Sequence, residues 1–107
     1  MKIKSRILIV GHRSLAGSAL VNILEKKGFF NLVVPKTAEV NLTEPKSTHH
    51  FFRKNKPDYI ILAPIKEGGI VANIKYPAEL IYENIATQTN VIHSAWKIGI
   101  KKLIYFA

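Results

Sequence analysis

The feature that most constrains the fold is a short apolar run that ends in glycine and passes into a helical pattern. Residues Ile7–Val10 are all aliphatic, and Gly11 follows them directly. Apolar residues then recur at helical spacing from Leu15 until Gly28. A run without polar alternation is typical of a parallel strand that is buried on both faces. The pattern therefore predicts the strand–turn–helix unit of an α/β protein.

Further apolar runs and helical patterns alternate along the rest of the sequence. Strands are predicted at residues 32–34, 58–63 and 102–106, and further helices at residues 43–56 and 77–98. This alternation predicts a parallel sheet with helices on both faces. We expect a Rossmann-type α/β fold with strand order 3-2-1-4, truncated after the fourth strand. In that order the fourth strand lies beside the first, at the switch point where such proteins bind a cofactor.

The first, third and fourth strands supply the predicted core. The third helix is expected to place Ile81, Ile85, Ile92, Ala95 and Trp96 on one side. An unpaired fourth strand and an apolar helix face both favour self-association, so a homodimer through the third helix is expected. The residues expected to be buried in the sheet are Ile7, Leu8, Ile9, Val10, Ile60, Ile61, Leu62, Leu103 and Ile104.

Composition excludes several classes of protein. A chain of 107 residues has room for one domain. It contains no cysteine, so disulfides, thiolate metal sites and thiol nucleophiles are excluded. Adjacent His49 and His50 would point about 100° apart on a helix, which makes them a poor metal pair. No metal site is predicted, and no apolar run is long enough for a signal peptide or membrane span, so the cytoplasm is expected.

Charge is the unusual bulk property. The sequence has 16 Lys and Arg against 7 Asp and Glu, a net charge of +9. Such an excess occurs in nucleic-acid-binding proteins. The lysines, however, fall at the ends of predicted elements, as Lys26-Lys27 and Lys101-Lys102 do, and form no stripe with interleaved aromatic residues. We therefore expect no nucleic acid as a partner, and the lack of a long apolar run predicts no membrane partner.

The turn after the first strand predicts a dinucleotide site. Gly11 permits a tight turn, Gly17 permits close packing of helix on strand, and the helix N-terminus offers N–H groups to a pyrophosphate. The alternative is a bare strand-to-helix turn of another α/β fold. The cofactor-binding residues predicted in this turn are Gly11, His12, Arg13, Ser14, Leu15, Ala16 and Gly17.

Charge after the second strand favours NADP over NAD. NAD enzymes of this fold usually carry a carboxylate there for the ribose hydroxyls. This sequence has Lys36 and no acidic residue before Glu39, and Arg13 lies in the first turn. Both cations suit the additional phosphate of NADP, although Arg13 as a solvated surface charge is the alternative.

The motifs together resemble the GDP-L-fucose synthases, which are extended short-chain dehydrogenase/reductases of the NAD-dependent epimerase/dehydratase family. The resemblance rests on Gly-His-Arg-x-x-x-Gly-Ser-Ala from Gly11, on residues 39–42 and on Lys66-x-Gly-Gly-Ile-Val-Ala-Asn. It continues through residues 76–78, 81–84 and 90–93, so it covers essentially the whole chain. It implies that Asn41 and Leu42 flank an adenine and that Ala63, at the end of the third strand, joins the NADP site. The alternative for Asn41 and Leu42 is a plain turn that needs no ligand.

The resemblance also implies a two-step reaction, in which GDP-4-keto-6-deoxymannose is epimerised and then reduced by NADPH. The family's Ser-Tyr-Lys set follows the fourth strand, so residues 1–107 are expected to be the N-terminal portion of the NAD(P)-binding domain, with no catalytic residue and no substrate domain. Ser14 replaces the middle glycine of the fingerprint, and Pro64 removes an N–H after the third strand. A nucleotide-sugar would bind only if a C-terminal segment completes the site. The alternative is a catalytically inactive remnant, or a nucleotide-binding or interaction module.

Overall fold

Strands and helices alternate along the chain in a computed structural model that describes residues 2–12, 14–36, 39–63, 77–100 and 102–105. The alternation confirms the predicted α/β pattern. In chain order the elements are β1 (Ile7–Val10), α1 (Leu15–Lys26), β2 (Leu32–Val33), α2 (Pro45–Asn55), β3 (Tyr59–Leu62), α3 (Pro77–Ile98) and β4 (Lys102–Tyr105).

The four strands form one parallel sheet, but their order differs from the prediction. The order is β2-β1-β3-β4, whereas 3-2-1-4 was expected. β1 pairs with β2 and with β3, and β4 pairs with β3. The predicted order would have placed β3 at an edge, yet residues Ile60, Ile61 and Leu62 are fully or almost fully buried. An apolar strand of this kind is stabilised by neighbours on both sides, so it lies inside the sheet.

Helices cover both faces of the sheet, as predicted. From β1 the chain moves to β2 on one side, then returns across β1 to β3 and continues in the same direction to β4. Right-handed crossovers that reverse direction must place their helices on opposite faces. Accordingly, Ile7, Ile9 and Ile61 pack with Leu24 of α1. The other face, which carries Leu8, Val10, Ile60 and Leu62, packs with Phe51 and Phe52 of α2 and Val91 and Ala95 of α3.

The helix α3 begins and ends where the sequence predicted. Of the five residues predicted to share one side, Ala95 is buried, whereas Ile81, Ile85, Ile92 and Trp96 are 47–76% exposed. The buried side carries Thr87, Val91, Ser94 and Ala95. Small side chains let α3 approach α2 and the sheet closely, while the larger apolar residues remain outside.

The strand β4 lies at an edge of the sheet. Leu103 and Ile104 are half-buried rather than buried, because β4 has a strand neighbour on one side only. Tyr105 is 47% exposed. The predicted continuation through Phe106 lies outside the described residues. Within the described ranges, no helix is sufficiently long and apolar to cross a membrane.

Candidate nucleotide-binding site

The predicted site residues lie where β1 and β3 end. The chain leaves β1 towards β2 on one side and returns to β3 on the other, so the switch point lies between β1 and β3 rather than between β1 and β4. The residues of the glycine turn follow β1, and Ala63 follows β3. The Ala63 N–H donates to Val10 O at 2.9 Å, and Ala63 is fully buried. In open α/β sheets, ligands bind in the crevice at this position.

Both glycines of the turn have the structural roles that the sequence predicted. Gly11 has φ of 85°, in the left-handed region that L side chains rarely adopt. Gly17 lies directly against the turn, since a Cβ placed on it would be 1.9 Å from Gly11 O and 2.9 Å from His12 Cα. Any side chain at position 17 would therefore collide with backbone. The turn brings the start of α1 against the end of β1.

Ser14 is the N-cap of α1. Its Oγ accepts a hydrogen bond from Gly17 N at 3.0 Å and donates one to Gly11 O at 2.8 Å. Its backbone is extended, with φ of −73° and ψ of 165°, so no glycine is needed for conformation. The hydroxyl instead satisfies one N–H that a phosphate would otherwise meet. No acidic residue lies in the first turn of α1, all of which the structure describes, so the positive end of the helix dipole keeps its attraction for an anion.

The other residues predicted in this turn differ in exposure. His12 and Ala16 are half-buried. Leu15 opens α1 and is 81% exposed. Arg13 lies outside the described residues, as do Pro64 and Lys66. Lys36, predicted to face the additional phosphate of NADP, is exposed after β2.

Asn41 and Leu42 form a fixed loop before α2. The Asn41 side chain stabilises the loop, because its Oδ1 accepts hydrogen bonds from the Thr43 amide at 3.1 Å and the Thr43 hydroxyl at 2.6 Å. Leu42 O accepts hydrogen bonds from Thr48 Oγ1 of α2 at 3.2 Å and from Asn90 Nδ2 of α3 at 2.9 Å. Two helices thus set the position of the loop.

The supporting roles of Thr48 and Asn90 were not predicted. Asn90 is separated from Leu42 by 48 residues, so no local spacing could indicate the contact. Thr48 is fully buried, and its single hydroxyl proton is shared between Leu42 O and the nearer Glu44 O, at 2.9 Å. A threonine between Ser47 and His49 in a polar helix gave no sign of burial. The available signal was indirect, since a polar side chain at a core position must find hydrogen-bond partners.

His49 lies between α2 and α3, away from the glycine turn. Its Nδ1 is buried and has no hydrogen-bond partner. Burial lowers the pKa of His49 below its ordinary value, and the positive charges of Lys97 and Arg53, together with His93, lower it further. Among the described residues no group of three potential ligands could hold a metal ion. His49 therefore belongs to the interface between α2 and α3.

Comparison with known proteins decides the family. Residues 7–107 match the model of the NAD dependent epimerase/dehydratase family. The chain belongs to this family. The family's name says that its members depend on NAD, and a glycine turn at the switch point of a parallel sheet is the feature expected of a dinucleotide site.

Curated relatives support the predicted resemblance. The chain is 50% identical to GDP-L-fucose synthase 1 of Arabidopsis thaliana over 101 residues, which are 94% of this chain and 31% of that protein. It is 41% identical to GDP-L-fucose synthase of Escherichia coli (strain K12) over 102 residues, which are 95% of this chain and 32% of that protein. The resemblance to GDP-L-fucose synthases is thus confirmed. The chain spans about a third of the length of these relatives.

Solved structures of related enzymes share the fold. A GDP-mannoheptose C4 reductase from Campylobacter jejuni, determined with NADP bound, is 40% identical, with a TM-score of 0.90. The match covers 100% of this chain and 34% of that one. A GDP-D-glycero-L-gluco-heptose synthase from the same organism, determined in the presence of NADPH, is also 40% identical, with a TM-score of 0.90 over 100% of this chain and 31% of that one.

Proposed function

We propose that the chain is the NADP-binding N-terminal portion of a cytoplasmic epimerase/reductase of the GDP-L-fucose synthase type. The observation that carries the proposal is the turn from Gly11 to Gly17, which places the start of α1 at the switch point of the sheet. The relatives that match over nearly all of the chain are GDP-L-fucose synthases, and solved neighbours at 40% identity hold NADP or NADPH.

Each group of site residues has a role in this proposal. The N-terminus of α1 attracts the pyrophosphate, and Gly11 and Gly17 keep side chains out of the turn. The loop of Asn41 and Leu42 borders the adenine, while Ala63 lets the cofactor approach the end of β3. Lys36 and Arg13 pair with the additional phosphate through charge-assisted hydrogen bonds.

The chemistry of the proposed reaction needs residues beyond these 107. Bound NADPH supplies hydride to a ketone. Epimerisation beside that ketone needs a base to remove a proton and an acid to return it on the other face. Reduction needs a proton donor, and the Tyr-x-x-x-Lys pattern that serves this role in the superfamily does not occur in the sequence. We propose that GDP-4-keto-6-deoxymannose is turned over only when a C-terminal segment completes the site.

Titration calorimetry with NADPH and NADH tests the cofactor. We expect NADPH to bind roughly tenfold more tightly, because a charge-assisted pair with the additional phosphate contributes on the order of 1.4 kcal/mol. Lys36→Gln should reduce this preference. The matched control is Lys46→Gln, which removes an exposed cation from the first turn of α2. Equal affinities for the two cofactors would contradict the NADP assignment.

An activity assay separates the enzyme segment from an inactive module. NADPH oxidation is followed with the 4-keto-6-deoxy sugar nucleotide, first with the 107-residue chain and then after addition of a C-terminal segment from a relative. Turnover only in the mixture supports the proposal. Turnover by the chain alone would contradict the assignment of the catalytic residues to another segment, and cofactor binding without turnover in the mixture would favour a module.

The exposed side of α3 supports a homodimer. Ile81, Ile85, Ile92 and Trp96 form an apolar stripe that nothing in the described structure covers. Stripes of this kind commonly mark protein interfaces. In sedimentation velocity, we expect a dimer that Ile85→Glu converts to monomer. Ile23→Glu is the matched control, since Ile23 is similarly exposed on α1, at 49% against 57%.

A further inference from the structure

The parallel sheet gathers most of the positive charge at one edge. Because all four strands run in the same direction, the residues before each strand and at the end of each helix lie together, opposite the glycine turn. We call this the amino edge, formed by residues 2–6, 26–31, 53–58, 97–100 and 102. Ten of the sixteen Lys and Arg residues lie here: Lys2, Lys4, Arg6, Lys26, Lys27, Arg53, Lys54, Lys56, Lys97 and Lys102.

Acidic residues do not balance these cations. Asp58 lies at the amino edge and Glu25 beside it, out of seven acidic residues in the sequence. The Asp58 carboxylate accepts a hydrogen bond from the Arg6 amide at 2.9 Å, so it is already engaged. Near the opposite edge, the described acidic residues Glu39, Glu44 and Glu79 outnumber the described cations, Lys36 and Lys46. The charge of the described chain is therefore polarised along the strands.

Helix stabilisation accounts for only part of this arrangement. Cations in the last turn of a helix favour its C-terminal dipole, and Lys26, Arg53, Lys54 and Lys97 have that position. Lys2 and Lys4 precede β1 and adjoin no helix end in sequence, and Lys102 belongs to a strand. Crowding these charges together opposes folding through mutual repulsion. The excess beyond the helix ends therefore calls for an anionic partner.

Apolar side chains are exposed at the amino edge and in the adjoining last turn of α1. Phe30 is 71% exposed, Ile3 is 52% exposed and Ile23, in the last turns of α1, is 49% exposed. Ile3 lies next to the turn before β2, since a Cβ on Gly28 would be 3.9 Å from Ile3 Cδ1. The exposed cations Lys2, Lys4, Lys26 and Lys27 flank these side chains in sequence.

A cleft beside the residues that precede β3 and β4 also combines cations with apolar side chains. It has a volume of about 400 Å³, and Phe52, Pro57, Ile98 and Ile100 contribute apolar atoms to its lining. Arg53 and Lys56 also line it and are exposed. Asp58 is the one acidic residue of the lining, and its carboxylate accepts the hydrogen bond from the Arg6 amide. Cations beside an apolar recess suit a ligand that carries a phosphate next to hydrocarbon.

From these observations we propose that the amino edge binds an anionic lipid surface. Cations near such a surface each add attraction, and exposed Phe and Ile side chains can enter the interface between headgroups and acyl chains. Nucleic acid would use the cations, but its phosphate backbone offers nothing to Ile3 and Ile23. A surface contact needs no spanning helix. The expectation of no membrane partner rested on the lack of a long apolar run, which argues against a spanning helix and does not address contact with a lipid surface.

Vesicle sedimentation tests the charge requirement. The chain is mixed with vesicles of phosphatidylcholine alone or of phosphatidylcholine with phosphatidylserine, and binding is expected only to the mixture. Lys26→Gln with Lys27→Gln should lower the partition coefficient about thirtyfold, because each cation near the surface contributes about fivefold. The matched control, Lys36→Gln with Lys46→Gln, removes the same charge from the opposite edge and should leave binding unchanged.

A second variant tests the apolar contact. Phe30→Ser should weaken binding to the mixed vesicles roughly tenfold, because it removes most of an inserted aromatic ring. Tyr82→Ser is the control, since Tyr82 is 66% exposed on α3. Circular dichroism confirms that each variant is folded. Equal binding to neutral vesicles, or full binding by folded Phe30→Ser, would overturn the proposal, and so would tighter binding to a DNA duplex than to the vesicles.

Discussion

Substitution of Gly17 by alanine should destabilise the domain through a collision with backbone. The added Cβ would lie 1.9 Å from Gly11 O, 2.7 Å from Gly11 C and 2.9 Å from His12 Cα. Ordinary contacts between such atoms begin near about 3.4 Å, so the turn and α1 must separate by about 1.5 Å. Neither partner can yield easily, because the turn continues directly from the fully buried strand β1.

The expected cost is about 3 kcal/mol or more, at the upper end of what overpacking a well-packed site causes. For a domain of this size that lowers the melting temperature by on the order of 15 °C. Thermal and urea unfolding followed by circular dichroism measure it. Complete loss of the native spectrum would also agree with the prediction, because a domain whose total stability is about 5–15 kcal/mol can be unfolded by a cost of this size.

Two controls isolate the collision from other effects of the substitution. Gly99→Ala meets no atom within 4 Å but has φ of 72°, so it measures left-handed strain alone, at about 1 kcal/mol. Ser18→Ala changes an exposed neighbour on α1 and should stay within about 0.5 kcal/mol of the native protein. If Gly17→Ala lowers the free energy of unfolding no more than Gly99→Ala does, the close approach of helix and strand does not explain why position 17 is glycine.

Three further predictions follow from named contacts. Ser14→Gly should strengthen NADPH binding, measured by calorimetry, because it removes the Cβ at the phosphate. It should lower the free energy of unfolding, measured by urea titration, by a few tenths of a kcal/mol, because the N-cap hydrogen bond is lost. Asn90→Ala should cost about 1 kcal/mol in urea unfolding by removing the hydrogen bond to Leu42 O, and an undiminished stability would show that the contact is unimportant. Unfolded His49 takes up a proton near its ordinary pKa of 6.5, whereas the lowered pKa keeps the folded residue neutral. Stability therefore falls as pH decreases through 6.5 and below, and melting curves should show a smaller fall for His49→Gln.

The positions of the strands could be predicted from sequence, but their order could not. A continuous apolar run such as Ile7–Val10 has few alternatives to a buried strand, and β3 and β4 were found in the same way. Spacing gives no indication of the side of β1 on which the third strand pairs. That choice depends on which strand can tolerate an edge, and β2, with two half-buried residues, occupies it.

For the site, local chemistry was predictable and long-range contacts were not. The glycines at positions 11 and 17 predicted a tight turn and a close approach of helix to strand, because only glycine satisfies either requirement. The capping role of Ser14 was missed because a middle glycine was expected there. The spacing of Ile81, Ile85, Ile92 and Trp96 placed them on one side of α3, but it could not show that the helix packs on the sheet through Thr87, Val91, Ser94 and Ala95 instead.

The carbonyl of Leu42 has a geometric consequence for the whole site. A loop held at one point can pivot about it. The Asn41 amide is a second point, since it donates to Ser47 Oγ of α2 at 3.2 Å, and Leu42 O is held by donors from two separate helices. Thr48 and Asn90 supply those donors, and both helices rest on the same face of the sheet. The position of the loop therefore depends on how α2 and α3 pack against the sheet, so core packing away from the crevice determines where this border of the crevice lies.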